Sequence, residues 1–565
     1  MNQLLKLIIS KIKFFVISIV VFSFIYNALM LIMPLYSLQV LDRVLSSQSK
    51  ETLLMLSILA FVIYITITII TVIRSSILLY ISNWFDNSLA RKVLLTNLDI
   101  AKSQANINGT QLLRDIATIK TFLTGQGLIA LLDAPWAPIF LIAIFIIHPI
   151  PGFVVLVAGL VLLALAWFNE KQTEPAIQSH NQAQMDMYQF SDVTVRHSDV
   201  INSMGMHQAV AQIFDDKQEK STNEFKASNS INNAISSTIK GIRMIIQMLT
   251  MAVAAYLALA GKMSPGSIIA ISILSGKALQ PFDQAVTIWK SVVGARKSFM
   301  RIEKTLSFYS EQTPIQLPTP TASVTAEKVT YTFPKQKEPK INNLNFTIEP
   351  GDIVGVTGPS AAGKTTLCKL LLGIITPTSG HIRLDNADIS QWDKADIGNH
   401  VGYLPQSAEL MMGTVKENIA RMQKDVDDQL IIEAAQLAGV HEIILQLPNG
   451  YDTIIGPNGA PLSAGQRQRI GLARAFFGNP SFVVLDEPNS NLDNEGDVAL
   501  ASALAQAKER NITVVVISHR KTIFDVINKL MVLQNGAVVL YGDKNEVFEK
   551  LNANAAQPKV AVASS

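Results

Sequence analysis

A glycine-rich stretch in the second half of the chain, GPSAAGKTT, has the residue types and spacing of a loop that binds nucleotide phosphates. It matches the pattern G-x-x-x-x-G-K-[ST], follows the strand-like run IVGVT and leads into a helix-forming segment. Backbone N–H groups of such a loop curl around phosphates, and the helix N-terminus adds partial positive charge. Lys364 would contact the β- and γ-phosphates, and the Thr365 hydroxyl would ligate Mg²⁺. We therefore predict that ATP and Mg²⁺ are bound by Gly358, Pro359, Ser360, Ala361, Ala362, Gly363, Lys364, Thr365 and Thr366.

Two carboxylates end a hydrophobic, strand-like run farther along the chain, FVVLDE at residues 482–487. A buried strand could deliver Asp486 to the Mg²⁺ ion and leave Glu487 beside it as the base that activates water. In isolation the same residues could form an ordinary acidic turn after a core strand. Together with a phosphate loop, they favour a site for ATP hydrolysis.

A second segment with phosphate-binding character is LSAGQRQRIGLARA, residues Leu462–Ala475. A Ser and small residues at the start of a predicted helix can bind a phosphate through the helix N-terminus. The sequence nevertheless offers only one phosphate loop. One polypeptide thus has two phosphate-binding segments and a single predicted nucleotide site.

Long apolar runs dominate the first half of the chain. Most are close to the 20 or so residues that a membrane-spanning helix needs, and they are too free of charge for buried helices of a soluble core. The last run is short and gains length only if flanking residues join it. We predict six spans, at Phe14–Met33, Leu53–Ile73, Leu128–Ile147, Ile150–Phe168, Ile242–Ala260 and Ser267–Leu279.

The charged residues and the cysteine content exclude several classes of protein. The 565 residues contain 47 Lys and Arg against 44 Asp and Glu, so bulk charge does not favour a nucleic-acid partner. The single cysteine, Cys368, excludes an intrachain disulfide framework and metal sites built on cysteine clusters. It follows the phosphate loop, and we interpret it as a reduced residue of the core.

Basic residues determine the predicted orientation in the membrane. Lys6, Lys11 and Lys13 precede the first span, and the long segments after spans two and four are rich in Lys and Arg. By the positive-inside rule, both termini, these two segments and the C-terminal half are cytoplasmic. Within the two segments, Asn108–Lys120 and Ser203–Phe214 are candidates for helices that dock on a soluble domain.

The second half of the chain changes to β-rich segments that alternate with helices, the pattern of an α/β domain. A stretch rich in Pro and Thr precedes it and is typical of a linker. We predict a transmembrane domain at 1–308, a linker at 309–323, a nucleotide-binding domain at 324–551 and a disordered tail at 552–565.

The segments LSAGQ, LDEP, SNLD and ISHR follow the phosphate loop and GYLPQ in the order seen in ABC-transporter ATPase domains, and this set resembles that family closely. In the family, the signature segment caps ATP bound to the phosphate loop of a second ATPase domain. The resemblance implies that two chains pair head-to-tail about a two-fold axis and complete two ATP sites. With one ATPase domain per chain, it implies a homodimer and accounts for the two phosphate-binding segments.

The resemblance also implies roles for individual residues. Phe333 would stack on adenine, for which an aromatic ring suffices, and Gln406 would join the shell of Mg²⁺ and water. Glu487 would be the catalytic base, and His519 would hold the γ-phosphate and the attacking water. Ala464 replaces the commoner Gly of the signature and could weaken capping. The residues expected to reach the ATP of the partner chain are Ser463, Gly465 and Gln466, and those expected around the metal are Thr365, Gln406 and Asp486.

Longer stretches resemble the type I secretion permease/ATPase family, in the branch that exports proteases, lipases and haem-binding proteins. They are PLYSLQVLDRVLSSQS, LDAPWAPIFLIAIFIIHP, GYLPQSAELMMGTVKENIAR and LDEPNSNLDNEGD, and the resemblance covers nearly the whole chain. It implies the type I ABC exporter fold, an α-helical six-span membrane domain followed by an α/β P-loop ABC ATPase domain, in the lipid of the bacterial inner membrane. The implied partners are a second copy of the chain, a periplasmic adaptor, a TolC-like outer-membrane channel and an unfolded polypeptide substrate with a C-terminal signal.

Three alternatives remain for the function. A lipid or drug exporter would have the same fold and chemistry but a different cargo. A soluble ABC-type ATPase of DNA repair or translation is disfavoured by the six spans. A membrane receptor that uses ATP as a switch would keep its function when hydrolysis is lost.

The roles of two acidic residues near the membrane also have alternative interpretations. Asp133, in DAPWAP near the inner end of span three, could gate a substrate path, or it could cap a helix or pair with a basic neighbour. We favour the second role because the position is near the interface. Asp42 and Arg43, just outside span one, could pair with each other or face the adaptor.

Overall fold

The computed structural model describes residues 3–101, 111–306, 317–334, 336–456 and 459–556. The chain divides into two compact units, Met1–Ser310 and Glu311–Ser565. This boundary lies within the segment predicted to be the linker, of which residues 309–316 are outside the described ranges.

All regular structure in the described part of the first unit is helical. A π-helical turn at Val40–Val44 and a 3₁₀ turn at Ala134–Trp136 interrupt it. The α-helices are α1 (Gln3–Leu29), α2 (Ile32–Gln39), α3 (Leu45–Ser47), α4 (Lys50–Ala101), α5 (Gln111–Thr124), α6 (Gln126–Asp133), α7 (Ala137–Ile147), α8 (Pro149–Arg196), α9 (Ser198–Ser203), α10 (His207–Leu259) and α11 (Pro265–Leu306).

Five helical segments in the described part of the chain are long and apolar enough to cross a membrane. They are Lys13–Ser47, Lys50–Leu98, Gly127–Ile147, Pro149–Trp167 and His207–Leu259. The sixth predicted span, Ser267–Leu279, is helical within α11 but is not among them. Its apolar side chains Ile271, Leu274 and Leu279 are buried against other helices of the unit, so this segment exposes less apolar surface than a lipid-facing span.

The three longest of the described helices far exceed the thickness of a membrane. Helices α4, α8 and α10 have 52, 48 and 53 residues, and a rise of 1.5 Å per residue makes each of them about 70–80 Å long. Since the hydrocarbon core measures about 30 Å, each continues well beyond it. Of the two predicted docking segments, Ser203–Phe214 lies at the α9–α10 turn, whereas residues 108–110 of the other lie outside the described ranges.

Asp133 pairs with a buried arginine. Its Oδ1 accepts hydrogen bonds from Arg74 Nη2 at 2.7 Å and from Asn27 Nδ2 at 3.1 Å, and the Arg74 guanidinium lies 4.9 Å from the centre of the Tyr26 ring. The arginine side chain is only 3% exposed. These contacts join α1, α4 and α6, which gives Asp133 the structural role that the sequence favoured, as the partner of a basic neighbour.

We expect the Asp133→Asn variant to lose about 3–5 kcal/mol of stability, because removing one partner leaves a buried, uncompensated charge. The double variant Arg74→Met/Asp133→Leu should recover most of this loss, since it removes both charges. Thermal unfolding of the purified chain in detergent measures both. Equal unfolding temperatures for wild type and Asp133→Asn would contradict a buried ion pair.

Asp42 does not pair with Arg43, which was one of the two roles considered for it. Its carboxylate accepts hydrogen bonds from the Ser264 hydroxyl and, at 2.8 Å, from the Gly266 N–H, so it caps the first turn of α11. Arg43 beside it points outward and its side chain is exposed. The outer end of the first span is thereby tied to the turn between α10 and α11, a contact between positions more than 200 residues apart that sequence spacing does not indicate.

The described part of the second unit alternates strands and helices. Its strands are β1 (Val324–Tyr331), β2 (Ile341–Ile348), β3 (Ile353–Thr357), β4 (Ser379–Leu384), β5 (Ala387–Asp388), β6 (Val401–Leu404), β7 (Gly413–Thr414), β8 (Ile454–Ile455), β9 (Phe482–Asp486), β10 (Thr513–Ile517), β11 (Lys529–Gln534) and β12 (Ala537–Asp543). Its helices are α12 (Lys364–Leu371), α13 (Lys394–His400), α14 (Val415–Ile419), α15 (Asp428–Leu437), α16 (His441–Leu445), α17 (Ala464–Phe476), α18 (Asn494–Glu509), α19 (Lys521–Val526) and α20 (Lys544–Ala556). Helix α20 extends five residues into the segment predicted to be a disordered tail, of which 557–565 are outside the described ranges.

The main sheet of the second unit has six strands in the order β12-β11-β3-β10-β9-β6. Strands β11, β3, β10, β9 and β6 run parallel, and β12 is an antiparallel edge strand. Its central strands are buried on both faces, because successive side chains of a strand enter two different core clusters. In β9, Val483 and Leu485 belong to one cluster and Val484 belongs to the other. A separate antiparallel sheet, β2-β1-β4-β5, packs into the second of these clusters.

Candidate functional site

The carboxyl ends of four neighbouring parallel strands, β3, β10, β9 and β6, meet at one edge of the six-stranded sheet. Gly358 directly follows β3 and Glu487 directly follows β9. His519 and Gln406 each come two residues after their strands, β10 and β6. Residues scattered over the sequence therefore lie side by side, at the edge where open α/β sheets bind ligands.

The phosphate loop connects β3 to α12 and is shaped by its glycines. Gly358 has φ +154°, and a Cβ there would lie 2.1 Å from the Leu533 carbonyl oxygen, so no larger residue fits. The Lys364 ammonium donates hydrogen bonds to the carbonyl oxygens of Gly358 at 2.7 Å and Pro359 at 3.2 Å. The cation thus lies inside the curve of the loop, where phosphate oxygens would compete for it.

Asp486, at the end of β9, is a buried carboxylate. It is 1% exposed, and neither of its oxygens has a hydrogen bond of good geometry with a described residue. Burial raises its pKa above the ordinary value, while the nearby Thr365 hydroxyl acts in the opposite direction. Unpaired carboxylate oxygens beside a phosphate loop are the ligands that a hard divalent cation would satisfy.

We expect Asp486→Asn to stabilise the nucleotide-free protein at neutral and higher pH. A carboxyl group whose pKa is raised on folding contributes a stability that falls as pH rises from the unfolded value through the folded value. Asparagine removes this titration, so the unfolding temperature of the variant should exceed that of wild type at about pH 8 and approach it at about pH 4. Adding ATP and Mg²⁺ should then stabilise wild type but not the variant. A variant that is less stable at every pH would contradict the unpaired buried charge.

Glu487 and Gln406 are in direct contact. The Gln406 amide nitrogen donates to Glu487 Oε2 at 2.9 Å, which joins the segments after β6 and β9. The Glu487 backbone has φ +49°, an uncommon conformation for a non-glycine residue, and its N–H donates to the Ile517 carbonyl oxygen at 3.1 Å. A strained backbone held by a neighbouring strand fixes where the carboxylate points, and such strain clusters at functional sites.

The segment that carries His519 is fixed by its neighbours while the imidazole itself is exposed. The Ser518 hydroxyl donates to Oδ1 of Asn489 at 3.2 Å, and Asn489 lies three residues after Asp486. Arg520 Nη1 pairs with Asp497 Oδ2 of α18 at 2.5 Å. These contacts hold the ends of β9 and β10 together and leave His519 free to meet a ligand.

The signature segment forms the first turn of α17. Ser463 and Gln466 make a capping box, in which the Ser463 hydroxyl accepts from the Gln466 N–H at 3.2 Å and Gln466 Oε1 accepts from the Ser463 N–H at 2.8 Å. Ser463 and Ala464 are exposed. Among the described residues, no hydrogen bond or ion pair links Ser463–Gln466 to the phosphate loop of the same chain.

Comparison with known proteins identifies the family. Residues 341–490 match the ABC transporter family model and residues 16–282 match the ABC transporter transmembrane region. The type I secretion system ATP-binding protein PrsD of Rhizobium meliloti (strain 1021) is 37% identical over 534 residues, which cover 94% of this chain and 92% of PrsD. The chain belongs to the type I secretion ABC transporters.

Other similar proteins agree with this membership. The exotoxin translocation ATP-binding protein PaxB of Pasteurella aerogenes is 27% identical over 94% of this chain and 76% of its own. The cyclolysin secretion/processing ATP-binding protein CyaB of Bordetella pertussis is 28% identical over 93% of this chain and 74% of its own. A solved bacterial Atm1-family ABC exporter with ATP bound superposes with a TM-score of 0.83 at 18% identity, over 97% of this chain and 99% of that structure. The last likeness shows the fold.

The predicted family, fold class and enzyme class are confirmed. The chain is an ATP-hydrolysing ABC exporter of the inner membrane, with a helical transmembrane region followed by an ATP-binding domain. Within this transporter, the structure brings the phosphate loop, Asp486, Glu487, Gln406 and His519 to one edge of the sheet, and it places the signature segment elsewhere on the same unit.

The predicted adenine-stacking residue lies outside this edge group. Phe333 follows β1, is 38% exposed and packs edge-on against Tyr331, with ring centroids 5.3 Å apart. Its exposed face is available for a planar ligand such as adenine. The stacking role of Phe333 stays a prediction, which mutagenesis can test.

Three residues that sequence reasoning missed link the signature helix of this transporter to the site. Gln468, 1% exposed, donates from Nε2 to the Pro488 carbonyl oxygen at 3.0 Å, directly after Glu487. At Gly402, in β6, a Cβ would lie 2.0 Å from the Ala475 carbonyl oxygen, so only glycine lets α17 pack this closely on the strand that leads to Gln406.

The third missed residue is Arg421. Its guanidinium donates to the carbonyl oxygens of Arg474 (3.0 Å), Ala475 (3.1 Å) and Val401 (3.2 Å), and also to that of Gly398. Burial, with a contribution from the Arg474 charge, lowers the pKa of Arg421 to about 10. This arginine joins the end of α17 to the start of β6. Its sequence context, KENIAR, gave no chemical signal because only the fold brings the four carbonyl groups together.

Proposed function

We propose that the chain works as a homodimer that uses ATP to export an unfolded polypeptide across the inner membrane, as the ABC component of a type I secretion system. The observation that carries the proposal is the similarity to PrsD over nearly the whole of both chains, at 37% identity. The printed names of PaxB and CyaB, which concern exotoxin translocation and cyclolysin secretion, support a polypeptide cargo. By the same family argument, a periplasmic adaptor and a TolC-like outer-membrane channel would complete the path.

The homodimer is supported by the position of the signature segment. Ser463 and Ala464 are exposed at the N-terminus of α17, a helix of 13 residues whose first N–H groups can meet an anion. Since they are not bonded to the phosphate loop of their own chain, the segment is available to the ATP of a second copy. Two copies related by a two-fold axis would form two identical sites.

A pair of engineered cysteines tests this arrangement. With Ser360→Cys and Ala464→Cys in one chain carrying Glu487→Gln, we expect ATP to promote oxidative cross-linking into a species of twice the chain mass. The native Cys368 does not interfere, because burial raises the pKa of its thiol well above the ordinary value. Each single-cysteine variant serves as the control and should stay monomeric on a denaturing gel. Cross-linking that ignores ATP, or none at all, would contradict the head-to-tail dimer.

We propose Mg²⁺ as the metal, bound by the Thr365 hydroxyl, Asp486 and Gln406 together with the phosphates. Among the described residues no group of three or more His, Cys, Asp and Glu could hold a metal ion, which suits an ion that takes most of its ligands from substrate and water. When bound, Mg²⁺ would neutralise phosphate charge. Asp486 fits this role because its oxygens are buried and make no hydrogen bond of good geometry with a described residue, and the Thr365 hydroxyl lies near them.

The remaining residues would divide the work of hydrolysis. Lys364 would leave the loop carbonyl groups for the β- and γ-phosphates of ATP, and Glu487 would take a proton from the attacking water. Gln406, hydrogen-bonded to Glu487, would orient that carboxylate. His519 would donate to the γ-phosphate, and Ser463 of a second copy would complete the anion site from the opposite side. Binding of ATP would close the two ATP-binding domains of the dimer on each other. This closing drives transport only to the extent that ATP binds the closed dimer more tightly than the open one.

The export proposal is tested by comparing the proteins that cells release when they express wild type or Glu487→Gln at matched abundance. We expect one or a few polypeptides to disappear from the medium and accumulate inside the cells expressing the variant. An unchanged set of released proteins, together with a shift in lipid distribution or drug resistance, would replace this proposal with a lipid or drug exporter.

A further inference from the structure

A polar cavity of about 350 Å³ lies between helices α10 and α11 of the transmembrane unit. We call it the Lys277 cavity. Five of its seven lining residues are polar, two of them cationic, and a single large apolar side chain contributes. The lining consists of Arg243, Gln247, Ile273, Gly276, Lys277, Gln280 and Gln284.

The cavity lies near the inner ends of the predicted fifth and sixth spans. Counting from the outer turn between α10 and α11, Lys277 is 12 residues into α11 and Arg243 is 16 residues before the end of α10. At 1.5 Å per residue these side chains start about 18 and 24 Å below the outer surface. Since the hydrocarbon core is about 30 Å thick, both side chains begin in its inner half, and Gln280 and Gln284 lie beyond Leu279, the predicted inner end of span six.

Lys277 is costly when its ammonium group faces hydrocarbon instead of water or an anion. A lysine at the centre of a bilayer is unfavourable, and intramembrane cations are found facing water-filled cavities or anionic partners. Lys277 is half-buried and forms no hydrogen bond or ion pair with any residue that the structure describes. No described carboxylate lines the cavity beside it. Among the described residues the ammonium group has no anionic partner, so water or an anion bound in the cavity would satisfy it.

The other polar lining is suited to a polypeptide. A glutamine amide offers both donors and an acceptor, which is what the N–H and C=O groups of an extended backbone need. Gln280 and Gln284 lie on the same helix as Lys277, three and seven residues on, and thus form one polar stripe with it. Gln247 faces them from α10, where its amide nitrogen donates to the Ser272 carbonyl oxygen at 3.2 Å. An acyl chain would gain nothing from these groups.

We propose that the Lys277 cavity is a binding site on the export path that selects stretches of polypeptide bearing Asp or Glu. The ammonium group of Lys277 pairs with a carboxylate of the passing chain, and the glutamines hydrogen-bond its backbone. This inference rests on the proposed polypeptide cargo and adds a chemical preference to it. Charge-assisted contacts at a site whose described lining contains no carboxylate favour acidic over basic segments.

The test uses the full chain in lipid nanodiscs and two fluorescent, unstructured 20-residue peptides, one of Glu, Gly and Ser and one with Lys in place of Glu. We expect wild type to bind the acidic peptide at least tenfold more tightly. Lys277→Gln should weaken that binding by about tenfold, the loss of about 1.4 kcal/mol of contact energy, and Lys277→Arg should retain it. Lys262→Gln, an exposed lysine of the outer turn, is the matched control and should bind as wild type does.

Three results would overturn the inference. One is equal binding of the two peptides by wild type, and another is acidic-peptide binding that Lys277→Gln leaves unchanged. The third is a loss confined to anionic phosphatidylglycerol vesicles, which would make the cavity a lipid site. Thermal unfolding detects a structural role. Because no described residue pairs with Lys277, the Lys277→Gln variant should unfold at the wild-type temperature.

Release from cells distinguishes this inference from the proposed function. If Glu487→Gln blocks release of a polypeptide and Lys277→Gln releases it at the wild-type level, the export proposal stands and the role of the cavity is wrong. If Glu487→Gln itself leaves release unchanged, the polypeptide cargo is wrong and the cavity loses its premise.

Discussion

Replacing Glu487 by Gln is expected to lower the rate of ATP hydrolysis by about 10²–10⁴-fold, the usual contribution of a general base, while ATP binding is retained. The amide keeps the shape of the side chain and can still meet Gln406, whose nitrogen now donates to Glu487 Oε2 at 2.9 Å. It cannot accept a proton from water. The change should therefore affect turnover and leave nucleotide affinity close to that of wild type. Steady-state phosphate release and equilibrium binding of a fluorescent ATP analogue measure the two quantities.

The control for this prediction is Glu509→Gln, which removes a carboxylate from the exposed end of α18. It should hydrolyse ATP at the wild-type rate. If Glu487→Gln also kept most of the wild-type rate, the proton would have to be accepted elsewhere and the position of Glu487 after β9 would have no catalytic meaning. A variant that loses ATP binding as well would instead indicate that the carboxylate supports the shape of the site.

Lys364→Ala and Ser463→Arg are each expected to reduce hydrolysis to background, for different reasons. The first removes the cation that lies within the phosphate loop, bonded to the Gly358 and Pro359 carbonyl groups. The second places a bulky side chain at the exposed N-terminus of α17 and breaks the capping box, so that the signature segment cannot close on ATP. Lys364→Ala should lose ATP binding, whereas Ser463→Arg should keep it, since its own phosphate loop is intact.

Mixing the two variants provides the decisive result. In a mixed dimer both defects fall in one site, and the other site has a normal phosphate loop and a normal signature segment. With equal expression, half of the dimers are mixed and each has one of two sites, so hydrolysis should recover to roughly a quarter of the wild-type rate. The control mixes each variant with itself and should give background. If the mixture also stays at background and no ATP-dependent cross-link forms, each chain uses its own signature segment or none.

The signature helix connects the two kinds of half-site within one chain. Its N-terminus is exposed, its buried Gln468 bonds to the turn after Glu487, and its C-terminal carbonyl groups are bonded by Arg421 to the start of β6. If α17 moves when it binds the ATP of a second copy, the movement would therefore displace the segments that carry Glu487 and Gln406. This is a physical path for coupling two sites in the proposed dimer, through contacts rather than through distance.

The sequence alone determined the parts of this protein that depend on local order. The phosphate loop, the strand that ends in Asp486 and Glu487, and the capped start of α17 are each contained in about ten residues, and their spacing reports on backbone geometry directly. The membrane spans follow from the length of apolar runs, because a bilayer accepts only helices whose backbone groups bond within the segment. Fold class and family were predictable for the same reason.

Only the tertiary structure decided which distant residues meet. Asp133 could have gated a substrate path until its pairing with Arg74 was seen, and Asp42 had no visible link to Ser264 and Gly266, more than 200 residues away. Residue types restrict the partners a charged group can accept, but they do not specify which helix brings one within 3 Å. The same holds for Lys277. No described residue pairs with it, and this becomes informative only because α10 and α11 place it in a cavity. Contacts of this kind are created by the packing of side chains from distant parts of the chain, and no local sequence pattern predicts them.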